Sequence, residues 1–264
     1  MTSTSKTPVL FISHGAPTFA IEPGLLGPRL QTLGTQLPDL KAVLVVSPHW
    51  QTKDVKVMGT ARPETIHDFG GFPSSLYALQ YPVAGHPDVA RETVRLLRAS
   101  GYAATVDDGR GLDHGAWVPL LHLLPEARVP VLQVSMPFDL STRAALKLGQ
   151  TLAPLRDQGV LIVGSGSMTH NLHDFRQSGA PPEAYAQEFA DWVQTTVRAK
   201  GLQQLLNYRA EAPHAVRAHP SEEHFLPLLI TMGATTDTDE LQVLQGGVSN
   251  GALSMDSYVW GLPG

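Results

Sequence analysis

Four short apolar runs punctuate the chain, at Pro8–Ser13, Ala42–Ser47, Pro130–Met136 and Gly159–Gly164, each rich in Val, Ile or Leu and mostly without polar alternation. Strands of a mostly parallel sheet read this way, because helices cover both of its faces and neither side chain direction meets water. Helical patterns lie between the runs: Pro28–Leu37, Val89–Ser100 with apolar positions at Val89, Val94, Leu96 and Leu97, Ala116–Leu124, and Arg143–Arg156. This alternation predicts an α/β fold with a central, mostly parallel, twisted sheet flanked by helices. The later part is more helical, with Glu183–Lys200 closed by Gly201 and Ser221–Met232 opened by Ser221 as N-cap with Glu222 and Glu223 in its first turn. Two final strands, around Leu241–Leu244 and Ala252–Val259, are expected to complete the sheet at an antiparallel edge.

Composition narrows the possibilities. A chain of 264 residues with 42% hydrophobic content suffices for one domain spanning residues 1–264, and its 24 Gly and 21 Pro form no linker or repeat. The formal charge of −5, with a pI near 6.1, argues against nucleic acid as a partner. Cysteine is absent, so disulfides, thiolate metal sites and Cys nucleophiles are excluded, and a metal must be held by nitrogen and oxygen. Met1–Thr7 is short and polar, and Val9–Ile12 is too brief for a signal peptide or a membrane span, which gives the expectation of a cytoplasmic protein without a membrane partner.

Eleven histidines stand against 19 Lys plus Arg, and their positions say more than their number. His14 follows the first apolar run, His49 the second through Ser47-Pro48, and His170 the fourth after Gly164–Thr169. Loops leaving the carboxyl ends of neighbouring parallel strands converge on one crevice, so three imidazoles in this register can share an ion there. His224, near the start of a predicted helix, is a fourth candidate. Imidazole suits Zn, Fe, Cu or Ni. A lone histidine at a strand end is more often a hydrogen-bonded surface residue, and His86, His122, His214 and His219 are read as structural. Leu112–Trp117 sets His114 at a helix N-terminus, where backbone N–H groups favour a neutral ring, with Asp113 as the candidate cap. His14-Gly15-Ala16-Pro17 predicts a sharp turn. Ile66–Pro73, followed by Tyr77 and Tyr81, is an aromatic loop that either walls a flat substrate or packs its rings inward. Gly164-Ser165-Gly166 lacks the spacing of a nucleophile elbow.

Together and in this order, His14–Pro17, Ser47–Trp50, Thr65–Pro73, Leu112–Trp117, Gly164–Gly166 with Thr169–Leu172, and Glu223–Leu228 resemble the class III extradiol ring-cleavage dioxygenases of the LigB type, within them the DODA-type subfamily. The resemblance runs almost end to end. It implies cleavage of a catechol-type, DOPA-like aromatic diol by O₂ at one divalent metal ion, Fe(II) or Zn(II), at the carboxyl ends of the strands. It further implies that His14, His49 and His224 are ligands and that His170 is an acid/base group close enough to serve as a fourth. His114 would lie near substrate and oxygen, with Trp50, Phe69, Gly70 and Tyr77 around the substrate. The wider class holds iron with two His and one Glu, whereas this chain offers His224 in place of the Glu, with Glu222 and Glu223 just before it. Three imidazoles also suit catalytic zinc, so a zinc-dependent hydrolase is the alternative reading and a non-catalytic binding protein the third. No oligomeric state follows from the sequence.

Overall fold

The computed structural model describes residues 6–262, so Met1–Ser5 of the expected polar lead lie outside the described residues. The strands are β1 (Val9–Ser13), β2 (Ala42–Thr52), β3 (Val55–Met58), β4 (Ala104–Asp107), β5 (Val131–Pro137), β6 (Val160–Gly166), β7 (Leu241–Leu244), β8 (Val248–Ser249), β9 (Leu253–Ser254) and β10 (Ser257–Trp260). Eight of them form one sheet in the order β4-β3-β5-β2-β6-β1-β10-β7. The four apolar runs are its centre, and β5, β2, β6 and β1 pair in parallel. Their side chains are buried on both faces, which is why they show no polar alternation. The expected antiparallel edge is present, with β10 antiparallel to β1 and β7 antiparallel to β10.

Helices Leu26–Gln36, Pro87–Ala99, His114–Leu123, Thr142–Leu152, Ala184–Arg198 and Leu226–Gly233 cover the sheet. Pro87–Ala99 shows how: it buries Val89, Ala90, Thr93, Val94 and Leu97 along one stripe and turns Arg91 and Arg95 to solvent. His114–Leu123 is instead buried almost throughout, so the chemistry at its first turn stands on a rigid element.

Several expectations are corrected. β2 does not stop at Ser47: it continues to Thr52 through a register shift against β5 between Val46 and Gln51, so His49 sits on a bulged strand rather than beyond a strand end. A bulge re-aims a side chain, and here it turns the second histidine towards the first. β3 and β4 carry only four residues each, too few to stand out from the turns beside them, yet they extend the sheet past β5. Ser221 does not cap a helix. Its hydroxyl donates to Glu223, and the helix starts at Leu226, after a turn that holds His224. Ala252–Val259 divides: β9 pairs with β8 in a separate ribbon, and only β10 joins the sheet. Arg143–Arg156 also divides, because Pro154 ends the regular helix and a 3₁₀ turn, Ala153–Gln158, follows.

That turn delivers Arg156 to the amino end of the sheet, where it is fully buried and bonded through all three of its nitrogens. It donates to the carbonyls of Thr7 (2.7 Å) and Ala234 (2.9 Å) and to both carboxylate oxygens of Asp239 (2.7 and 3.0 Å). Among the described residues, no helix is long and apolar enough to cross a membrane.

Candidate metal centre

At the opposite, carboxyl end of the same strands the predicted histidines meet. His14 leaves β1 with its backbone N–H donated to Gly166 at 2.9 Å, and Gly15 takes a positive φ of 61°, which turns the chain away and leaves the ring facing inward. His49 arrives on the bulge of β2. His224 is fixed by its carbonyl, which accepts from the Ser167 N–H at 3.0 Å, and His170 by its N–H on the Ala218 carbonyl at 2.8 Å. His14, His49 and His224 each offer a ligand atom, all within 4.8 Å of one another. His170 stacks on His224 with ring centroids 3.5 Å apart and planes 7° from parallel.

Hydrogen bonding decides which nitrogens are free. The Ser165 hydroxyl donates to the Gly115 carbonyl, so its oxygen must accept from His14 Nδ1–H at 2.9 Å, leaving the His14 Nε2 lone pair bare. His224 Nδ1 donates to Glu223 Oε1 at 2.9 Å, and its Nε2 is buried with no partner. His49 Nε2 lies 3.1 Å from His14 Nε2. A proton on that nitrogen would satisfy the pair but leave a bare Nδ1 facing Asp68 Oδ2 at 3.7 Å. The other tautomer aims N–H at the carboxylate and both Nε2 lone pairs at one point, where they repel unless a cation lies between them. The donor set therefore fits a divalent metal ion.

Electrostatics favours neutral rings. Burial, followed by the neighbouring imidazoles, holds His14 and His224 well below the usual histidine range. Burial and the His114 ring push His49 down to about 4 against the pull of Asp113 and Asp68. His170 is also lowered, mainly by burial, with Glu223 opposing. Neutral imidazole is the form that ligates metal. Asp68 goes down to about 2, since burial, which raises it, is outweighed by its contacts with His114 and then His49.

Above the cluster opens a cavity of about 370 Å³, floored by His14, His49, His114, His170 and His224 and walled by Phe69, Gly70, Phe72, Leu172, Phe175 and Leu253. Phe69 and Gly70 thus stand where a substrate wall was expected. Trp50 does not: it is buried in the core, with the Arg110 guanidinium 5.0 Å above its ring, because the residue after His49 on a pleated strand faces the other way. Tyr77 is also outside the lining and braces Phe69 from behind, with ring centroids 5.2 Å apart. Tyr81 packs inward and donates to the Leu124 carbonyl. Of the histidines read as structural, His122 and His219 are buried on the backbone carbonyls of Phe19 and Met168, and His214 faces Glu188.

Asp113 occupies the cap position of its helix, yet its side chain turns away to Ser47, Arg110 and Gln133. Gly115 follows in the first turn, where a Cβ would lie 3.0 Å from the His49 ring and closer still to Ser47 Oγ. Three residues beside the histidines went unassigned in the sequence reading: Ser165, Glu223 and Asp68. Ser165 was discarded as a nucleophile, and as a hydrogen-bond relay it has no local signature.

Residues 28–258 match the family model described as the catalytic LigB subunit of aromatic ring-opening dioxygenase. The chain is 38% identical to "4,5-DOPA dioxygenase extradiol" of Beta vulgaris, over 94% of both chains, and 37% identical to a protein of the same name from Escherichia coli strain K12, over 96% of this chain and 94% of that one. The crystal structure of an uncharacterized Escherichia coli K12 protein superposes with a TM-score of 0.80 at 30% identity, covering 96% of this chain and 99% of the other.

Proposed function

Because this chain belongs to the LigB family of aromatic ring-opening dioxygenases, we propose that it opens the ring of a catechol-type, DOPA-like aromatic by extradiol cleavage with O₂, as one catalytic domain. His14, His49 and His224 would hold one divalent ion, Fe(II) or Zn(II). The observation that carries this reading is the convergence of three neutral imidazoles, with Nε2 lone pairs directed at one point, beneath a cavity with aromatic walls. The relatives' names support a catechol as the substrate.

A bound divalent ion would supply Lewis acidity, which lowers the pKa of the diol hydroxyls, and an open position for oxygen. The chain supplies the rest. Phe69 and Phe72, edge to face at 5.6 Å, give a flat ring an apolar wall and keep water from the floor. His170 faces the cavity and, among the described residues, its ring makes no hydrogen bond, so it is free to take the proton of the second hydroxyl and return it as the ring opens. His114 would hydrogen-bond substrate or oxygen. The two carboxylates beside the cluster, Asp68 and Glu223, would offset the charge of a bound ion at one remove from three neutral ligands.

The test is to load the protein anaerobically with Fe(II), add a panel of catechols and admit air. Oxygen uptake with a yellow muconic semialdehyde is expected, and silence across the panel would sink the proposal. The three-imidazole donor set favours one second reading, a zinc hydrolase, which would show activity with zinc and consume no oxygen.

A further inference from the structure

We propose that Asp68 is the positioning residue of this site, setting the tautomer of His114 so that Nε2 of that ring is left as the acceptor. The role rests on the ring-opening reading and narrows it: an acceptor nitrogen on His114 meets a hydroxyl of the substrate, because O₂ has no proton to donate.

One carboxylate makes three contacts. Oδ1 accepts the backbone N–H of His114 at 2.8 Å, Oδ2 lies 3.0 Å from His114 Nδ1, and Oδ2 is also 3.7 Å from His49 Nδ1. Oδ2 lies off the ring N–H direction and the buried nitrogen makes no well-aligned hydrogen bond, which leaves the carboxylate at 3.0 Å as the acceptor it faces. A carboxylate only accepts, so a ring that packs Nδ1 against it carries its proton there and leaves Nε2 bare. The cap position belongs by sequence to Asp113, whose side chain is committed elsewhere, and Asp68 takes its place from a different loop. That loop is tied to the same helix, since the Trp117 indole donates to the Ile66 carbonyl at 2.9 Å and the Ile66 N–H to Leu112 at 2.8 Å. Phe69 and Gly70, the adjoining wall of the cavity, follow Asp68 directly, so wall and ring are set by one anchor. The carboxylate beside His170, Glu223, is committed instead to His224 Nδ1 at 2.9 Å.

Asp68→Asn separates positioning from capping, because the amide oxygen keeps the backbone bond while the NH₂ group replaces an acceptor by a donor. The readout is the long-range ¹H–¹⁵N spectrum of zinc-loaded protein labelled at histidine, with His114→Gln identifying the signal. At saturating zinc, so that any weaker binding through His49 is made good, expected are Nδ1–H at His114 in the wild type, Nε2–H in Asp68→Asn, and return of Nδ1–H in Asp68→Glu. With catechol and Fe(II), Asp68→Asn is expected to lower kcat about 10- to 100-fold with little change in KM. Nε2–H in the wild type, an unchanged tautomer in Asp68→Asn, or zinc loss as complete as in His14→Ala would overturn the assignment, the last by making Asp68 a ligand. The spectrum is readable without turnover, so a silent catechol panel strikes the ring-opening reading and leaves this result standing.

Discussion

The two ends of the central strands bury polar side chains in opposite ways. At the amino end Arg156 is enclosed completely, and each of its three guanidinium nitrogens donates to a carbonyl or to the Asp239 carboxylate. At the carboxyl end His14 and His224 are buried almost as deeply and His49 is half-buried, and while the Nδ1 atoms face a hydroxyl or a carboxylate, the Nε2 lone pairs crowd together. Saturated burial holds the fold together, whereas unsaturated burial aimed at one point costs stability and persists because a ligand completes it.

Removing side chains at each end sharpens the contrast. His14→Ala is expected to abolish metal binding and oxygen uptake together, while His170→Ala keeps most of the metal and loses about 10²- to 10⁴-fold in kcat. Metal analysis beside an oxygen electrode separates the two, and equal metal loss would make His170 a ligand. At the other end Asp239→Ala strands a buried cation and should cost roughly 3–5 kcal/mol by denaturant unfolding, with metal affinity unchanged. A metal defect in that variant would break the division of labour. Ser165→Ala, which removes the oxygen that orients His14, should weaken metal binding by about 10- to 100-fold in a chelator competition. The smallest effect is in acid. Burial raises the Asp239 carboxyl, but Arg156 and the hydrogen bonds from Thr236 more than offset this and leave it below its ordinary range, so these contacts stabilise the fold above that range and fade as pH falls through the lowered value. Melting temperatures between about pH 5 and 2 should therefore drop more steeply for the wild type than for Asp239→Asn.

The sheet's centre was legible because strands buried on both faces are continuous apolar runs, and the site because histidines recur just after those runs. What escaped did so for local reasons. β3 and β4 are too short to carry a pattern, and the bulge that re-aims His49 depends on pairing with β5, which lies some 80 residues away in sequence. Ser221, Glu222 and Glu223 carry every local mark of a helix start, but Glu223 is drawn to the His224 ring and the helix waits until Leu226. Trp50 shared a motif with His49, and adjacency along a strand put it on the far face. Ser165 and Asp68 act across 151 and 46 positions of chain, separations that no motif reports.

Gly115 sets a boundary on redesign. With the His49 ring 3.0 Å from where a Cβ would sit and Ser47 Oγ closer still, even a methyl group there would displace the serine hydroxyl and press on a histidine of the cluster. Behind the His49 side of the cleft there is thus no room for a side chain at position 115, and efforts to retune which aromatics enter should work from the outer rim, first at Leu172, which is largely exposed.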